Sequence, residues 1–222
     1  MESFFGEKIS EKSVFDIGFG FAQALKYMKN KGLKVAGLEP SKEGVDYARE
    51  NGIDAIHCGI ERLDLVKDKS EVVLLLNVLE HLRKPEQTLL NIKEKVLTSD
   101  GMLVIEVPND FNDFQIVADA EYNLDEWWVF PPNHINYFSH DSLQELLRGC
   151  GYKIIHCTSS FPLDMFLLFG DQYVGNPKLG RECHNKRVKF EQLMEKHGKV
   201  EKLKKFYNAL SELNLGRSIS IY

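Results

Sequence analysis

The sequence is short of several things, and each absence narrows what it can be. It has no apolar run of about eighteen residues, so no transmembrane helix is expected. Its first residues, M-E-S-F-F-G-E-K-I-S-E-K, lack the basic and apolar segments of a signal peptide. Cys58, Cys150, Cys157 and Cys183 show no C-x-x-C spacing, which points to reduced thiols in a cytoplasmic protein, several of them buried. Cys183-His184 and His57-Cys58 are isolated pairs and do not make a zinc site. A basic excess is missing too: 28 Lys and Arg against 33 Asp and Glu leave a net charge of −5, which argues against a general nucleic-acid binder. Neither internal repeats nor low-complexity segments occur. What remains is a chain of 222 residues, 43% apolar, enough for one α/β domain with an insertion.

Within it, residues 14–22 read V-F-D-I-G-F-G-F-A. A short apolar run, an acid, two glycines and an amphipathic stretch predict a strand, a tight turn and a helix. Gly18 and Gly20 give the turn backbone freedom and leave room for a ligand against the main chain. Glu39 closes a second apolar run, K-V-A-G-L-E, where an open α/β sheet places a carboxylate beside the first turn, within reach of ribose hydroxyls. The rival ligand is a nicotinamide or flavin dinucleotide, whose turn reads G-x-G-x-x-G; here Gln23 stands where the third glycine belongs. Asp16 is equally unsuited to a pyrophosphate, but an acid there favours an ammonium or sulfonium group.

The pattern D-x-G-x-G-x-A resembles the first motif of the class I S-adenosylmethionine-dependent methyltransferases, acid-x-G-x-G-x-G, with Ala22 replacing the third glycine. Residues 72–82, V-V-L-L-L-N-V-L-E-H-L, resemble the fourth-strand motif of a subgroup that includes the ubiquinone-biosynthesis O-methyltransferases and many sugar methyltransferases. L-R-K-P-E-Q-T-L-L, V-L-T-S-D-G-M-L-V-I-E-V-P-N and H-I-N-Y-F-S-H-D-S-L-Q-E-L-L-R-G-C-G-Y follow in that subgroup's order, so the resemblance covers residues 13 to about 160. G-R-S-I-S-I-Y at the end resembles the final strand. The resemblance implies a doubly wound, mostly parallel, seven-stranded Rossmann-like sheet with helices on both faces and a helical insertion before the last strand. It also implies S-adenosyl-L-methionine as cofactor. On that footing Asp16, Gly18 and Gly20 would line the methionine end, Glu39 would hold the ribose and Pro40 would lie beside the adenine. Ile60 and Glu61 would meet the adenine amino group, although G-I-E-R departs from the commoner G-D-x, and Asn77 would present its carbonyl to the methionine amine.

Alternating apolar runs and helical patterns agree with a parallel sheet. Strands are expected near 13–17, 33–38, 53–57, 71–76, 101–107, 152–159 and 217–222, and helices near 21–30, 41–51, 85–97 and 140–149. Ser41 is the expected N-cap of one helix, and Ser139 or Asp141 of another. Only about a dozen residues precede the first strand, where relatives usually carry a helix or more. Residues 109–138 are rich in aromatics and read as a packed lid or pocket wall. Residues 161–216 read as a helical appendage, with an apolar stripe of Leu203, Phe206, Leu210 and Leu213 and a division at Gly198. That stripe would cover the acceptor crevice or make a dimer interface, leaving monomer and homodimer both open.

Methyl transfer is an in-line displacement at a sulfonium carbon, and a base is needed only when the acceptor must lose a proton. His134 and Tyr137, in P-P-N-H-I-N-Y-F, and His81, after the fourth strand, are the acceptor-side candidates, with a structural role open for each histidine. His140 reads as part of a helix start, and Asp110 and Asp113 as solvated loop acids rather than a metal site. The basic excess from Lys178 to Lys205 reads as a solvated helix face, or as an attraction for a phosphorylated or nucleotide-linked acceptor. The expected activity is methyl transfer to a hydroxyl, amine or carbon of a sugar, quinone-like or other small metabolite. The alternative is a cofactor-binding module without catalysis, acting as a regulatory or scaffolding partner.

Overall fold

A computed structural model describes residues 12–222. Fifteen labelled elements follow in chain order: β1 (Ser13–Ile17), α1 (Gln23–Asn30), β2 (Lys34–Glu39), α2 (Lys42–Glu50), β3 (Asp54–His57), β4 (Ser70–Leu76), α3 (Pro85–Lys95), β5 (Leu97–Pro108), α4 (Asp113–Tyr122), α5 (His140–Gly149), β6 (Cys157–Ser159), α6 (Met165–Leu168), α7 (Pro177–Lys196), α8 (Val200–Glu212) and β7 (Ser218–Ile221). Short 3₁₀ turns occupy Ile60–Leu65 and Leu79–His81. The strands form one seven-stranded sheet in the order β3-β2-β1-β4-β5-β7-β6. By packing, the chain divides into two compact units, one reaching to residue 106 and including 149–152 and 222, the other holding 107–148 and 153–221.

In the first unit β1 pairs in parallel with β2 and β4, β2 with β3, and β4 with β5. Parallel strands are apolar on both faces because helices cover both. Apart from Asp16, the inner residues of β1 and β4 therefore alternate between two cores without turning polar: Val14, Phe15 and Ile17, then Val72, Val73, Leu74 and Leu75, are all nearly inaccessible. Val14, Val72, Leu74, Met102 and Val104 join Leu25 of α1 and Val45 and Ala48 of α2 in one core. Gly37 on β2 leaves space that a Cβ would take from the Asp16 carbonyl, 2.5 Å away. Ser41 caps α2 by accepting from the Gly44 amide at 3.3 Å.

In the second unit β6 and β7 are antiparallel, with Cys157 opposite Ile221 and Ser159 opposite Ile219. The expected strand 152–159 is shorter than its sequence pattern. Tyr152 instead donates its hydroxyl to the Leu89 carbonyl at 2.8 Å, under the Lys93 ammonium, so the strand starts only at Cys157. The aromatic stretch after β5 begins with a helix and continues as a packed loop. Asn112 and Gln115 form a reciprocal capping box that starts α4. Phe111, just before it, and Trp127, Trp128 and Tyr137, after it, meet edge to face, with Trp128 and Phe138 buried. The later insertion holds the short α6 and then two longer helices, α7 and α8, broken where Gly198 takes φ +67°. The expected stripe on α8 is only in part its buried face. Leu210 and Ser211 are buried, whereas Phe206 is 40% and Leu213 65% exposed. Leu213 is the C-terminal cap, past the last turn, and Phe206 meets the rings of Phe190 and Tyr207 on an open edge. Several cations of this region are matched by acids, Lys186 with Asp171, Arg187 with Glu191 and Lys204 with Glu201, as a solvated face would have them.

No described helix is long and apolar enough to cross a membrane. Cys150 and Cys183 are buried, Cys58 and Cys157 half-buried, and all four are unpaired thiols.

Candidate functional site

The glycine turn forms where β1 ends, at the carboxyl edge of the first unit's parallel strands, the edge that binds ligands in open α/β sheets. Gly18 and Gly20 both have positive φ, +75° and +54°. At Gly18 a Cβ would also run into the Val78 side chain. Ala22, which takes the place of the family's third glycine, is left-handed as well (φ +51°, ψ +31°) and fully buried. Such a conformation costs an L-residue about 1–2 kcal/mol. Here the methyl is packed into the core with Val14 and Leu25, which offsets part of that cost.

The turn's amides are already engaged. The Gly18 amide donates to the Leu38 carbonyl at 2.8 Å, and the Gly20 amide to Glu39 Oε2 at 2.9 Å. Glu39 Oε1 accepts from the Ser41 amide at 2.8 Å, so one buried carboxylate joins the turn, the end of β2 and the start of α2. Each oxygen keeps a second lone pair for a further donor. Gly44, in the first turn of α2, completes this arrangement: a Cβ there would collide with the Gly20 carbonyl. Nothing in the local pattern announces Gly44, except that a glycine is costly inside a helix.

Asp16 is the other acid of the site. It is 3% exposed, and its Oδ1 has no hydrogen-bond partner among the described residues. Burial, and after it the charge of Glu39, push its pKa from 3.8 to about 7. Two buried acids and a turn whose amides point at protein acceptors suit a cationic, hydroxyl-bearing ligand and repel a pyrophosphate.

Asp16, Gly18, Gly20 and Glu39 are thus brought together. Pro40 follows as an exposed residue whose carbonyl accepts from His57 Nε2 at 3.0 Å. Ile60 is half-buried and opens the 3₁₀ turn after Gly59, with the exposed Glu61 beside it. Asn77 stands exposed just past β4 with φ +55°, its amide donating to the Glu106 carbonyl at 2.8 Å. The 3₁₀ turn that follows is capped by Val78, not by Asn77. His81 lies 42% exposed in that turn, its Nε2 3.7 Å from the buried Glu80 carboxylate.

In the second unit His134 and Tyr137 belong to one ring cluster with Phe130. The Tyr137 hydroxyl donates to the His134 carbonyl and accepts the Phe130 amide, both at 3.2 Å, which fixes the loop. His140 starts α5, as its sequence suggests, and is buried with Nδ1 3.2 Å from the Ser211 hydroxyl. Asp113 is exposed, but Asp110 is not the solvated acid its loop position suggests. It is 5% exposed, and burial, with the neighbouring Asp164 charge adding and Arg217 opposing, pushes its pKa to about 6. The cause is tertiary: Asn109 anchors the segment by donating to the Asn214 and Gly216 carbonyls, and Asp110 follows it into the interior.

Comparison with known proteins bears on the family and the fold. A family model described as a methyltransferase domain matches residues 2–157. The chain is 28% identical over 157 residues to a ubiquinone biosynthesis O-methyltransferase of Rickettsia canadensis, covering 66% of this chain and 64% of that protein. It is 31% identical over 138 residues to the protein of the same name from Rickettsia conorii, covering 58% and 46%. The chain therefore spans less than two thirds of the length of either relative. A solved S-adenosylmethionine-dependent methyltransferase from Archaeoglobus fulgidus shares its fold, with a TM-score of 0.58 at 15% identity over 99% of this chain and 89% of that one. A possible histamine N-methyltransferase from Thermotoga maritima superposes with a TM-score of 0.54 at 22% identity, covering 68% and 69%. From the matched family model, the D-x-G-x-G turn and the sheet order together, the chain belongs to the class I S-adenosylmethionine-dependent methyltransferase family.

Proposed function

We propose that this protein binds S-adenosyl-L-methionine and transfers its methyl group to a small-molecule acceptor. The observation that carries the reading is Asp16: a buried carboxylate whose Oδ1 has no hydrogen-bond partner among the described residues, beside a turn whose Gly18 and Gly20 amides are engaged. Such a site fits the ammonium end of an amino-acid ligand. In this assignment Asp16 holds the methionine ammonium, with Asn77 presenting its side-chain carbonyl to the same group. Gly18 and Gly20 leave room along the turn, and the remaining lone pairs of Glu39 accept from the ribose hydroxyls. Pro40, Ile60 and Glu61 border the adenine. The bound cofactor supplies the electrophilic methyl, so the chain needs only to orient the acceptor and keep water out.

For a hydroxyl acceptor, His134 is assigned as the base that takes its proton, with His81 as the competing residue and Tyr137 fixing the His134 loop. The segment 109–138 is assigned as the lid, and residues 161–216 as a flank of the acceptor crevice.

Titration calorimetry tests the binding reading: S-adenosylhomocysteine should bind and NAD should not, and the reverse result would refute it. A methyl-transfer assay against a metabolite panel then separates an enzyme from a binding module. His134→Gln should retain cofactor binding and lose roughly 10²–10⁴-fold in turnover. Loss in a His81 variant alone would transfer the role of base to His81.

A further inference from the structure

Asp16 and Glu39 place two carboxylates in one buried corner, with no cation of the described residues offsetting Asp16. In register Asp16 faces Gly37 on β2 and Leu74 on β4, which carry no charge. The cations of the adjoining helices are directed elsewhere: Lys26 to the Tyr47 hydroxyl, Lys29 to the Asn51 and Gly52 carbonyls, Lys42 to Asp46, and Arg49 to the Ala55 carbonyl. After β4, Glu80 and His81 face each other. Among the described residues, Glu39 is the charged group that acts on Asp16. Glu39 already accepts one backbone N–H on each oxygen, so the less engaged Asp16 is where a compensating positive charge must sit.

Resting on the ligand assignment above, we propose that the free protein carries a proton on Asp16 and that the ligand's ammonium group displaces it, so that binding is a proton-for-ammonium exchange. In the exchange the Asp16 O–H bond breaks and its proton passes to solvent. The ammonium keeps its own protons, and an ion pair replaces a neutral carboxyl. The raised titration of Asp16, about 7, puts this exchange in the neutral range. Below it, affinity falls by up to about tenfold per pH unit, because the proton competes with the ligand for one oxygen pair. A ligand that keeps the adenosine and thioether but lacks the amino-acid end draws no benefit from the exchange.

Calorimetry of the full chain with S-adenosylhomocysteine, repeated in buffers of different ionisation enthalpy, reads the protons released. Roughly half a proton per ligand is expected at pH 7, close to one at pH 6 and almost none at pH 8.5, the fractions set by a group titrating near 7. Difference infrared spectra at pH 6 should lose a protonated-carboxyl band when S-adenosylhomocysteine is added, a loss missing from Asp16→Asn. Binding with no proton release at pH 6, or release that persists in Asp16→Asn, overturns the exchange while leaving the ligand assignment intact. Equal release with 5′-methylthioadenosine, which has no ammonium, also overturns it. Absence of any S-adenosylhomocysteine binding overturns both.

Discussion

Replacing Asp16 by Asn should make the ligand-free protein more stable, by an amount that depends on pH in a definite way. The folded-state pKa, about 7, lies above the ordinary 3.8, so between these values the folded protein binds a proton that the unfolded chain does not. Stability therefore falls as pH rises from about 4 to about 7, and the full penalty persists above that window. A shift of about three units at 1.36 kcal/mol each gives a penalty of about 4 kcal/mol above pH 7 and less than about 1 kcal/mol at pH 4. Asn is nearly the same shape and never carries the charge. Urea denaturation of parent and Asp16→Asn at half-unit steps from pH 4 to pH 8.5 should show the two midpoints diverging as pH rises, with the variant higher. The same variant should lose affinity for S-adenosylhomocysteine. A stability difference independent of pH, or a variant that is weaker at pH 8, would refute the view that Asp16 is an uncompensated buried charge.

Gly44→Ala should destabilise the fold by roughly 1–3 kcal/mol, opposite to the usual gain of about 1 kcal/mol for this change in a helix, because its Cβ meets the Gly20 carbonyl. Thermal melts and S-adenosylhomocysteine titration check it, and a more stable variant with unchanged affinity would show that the close approach is unimportant. Asp110→Asn should stabilise the protein by about 1–3 kcal/mol at pH 7.5 and change little at pH 4, since Asp110 titrates near 6 in the folded state. Denaturation at the two pH values decides it, and a loss at pH 7.5 would mean that its interaction with Arg217 outweighs its burial.

The sheet and the glycine turn were legible because their signals are local. A buried parallel strand must be an apolar run, and β1 fills the expected 13–17 without change. Ser41 announces α2 by its own hydroxyl, and Gly18 and Gly20 announce a turn by lacking Cβ atoms. What escaped depends on partners distant in sequence. Asp110 reads as a polar loop residue, yet the anchoring of Asn109 to residues 214 and 216 carries it inside. The helical rhythm of Leu203, Phe206, Leu210 and Leu213 gives an apolar face, but Leu213 is already the cap of α8 and the buried positions are Leu210 and Ser211. Glu39 was legible as an acid beside the glycine turn, though not as the link between Gly20 and Ser41, which only the folded turn creates.

That link bears on how ligand preference could be redesigned. Placing glycine at Gln23 would complete the dinucleotide spelling without creating a phosphate cradle, because the Gly20 amide would still be donating to Glu39. Freeing that amide means removing Glu39, and with it the tie to Ser41 at the start of α2. On the ligand assignment proposed above, the cofactor choice of this scaffold is therefore written at the end of its second strand as much as in its glycines, and a change of cofactor would have to begin there.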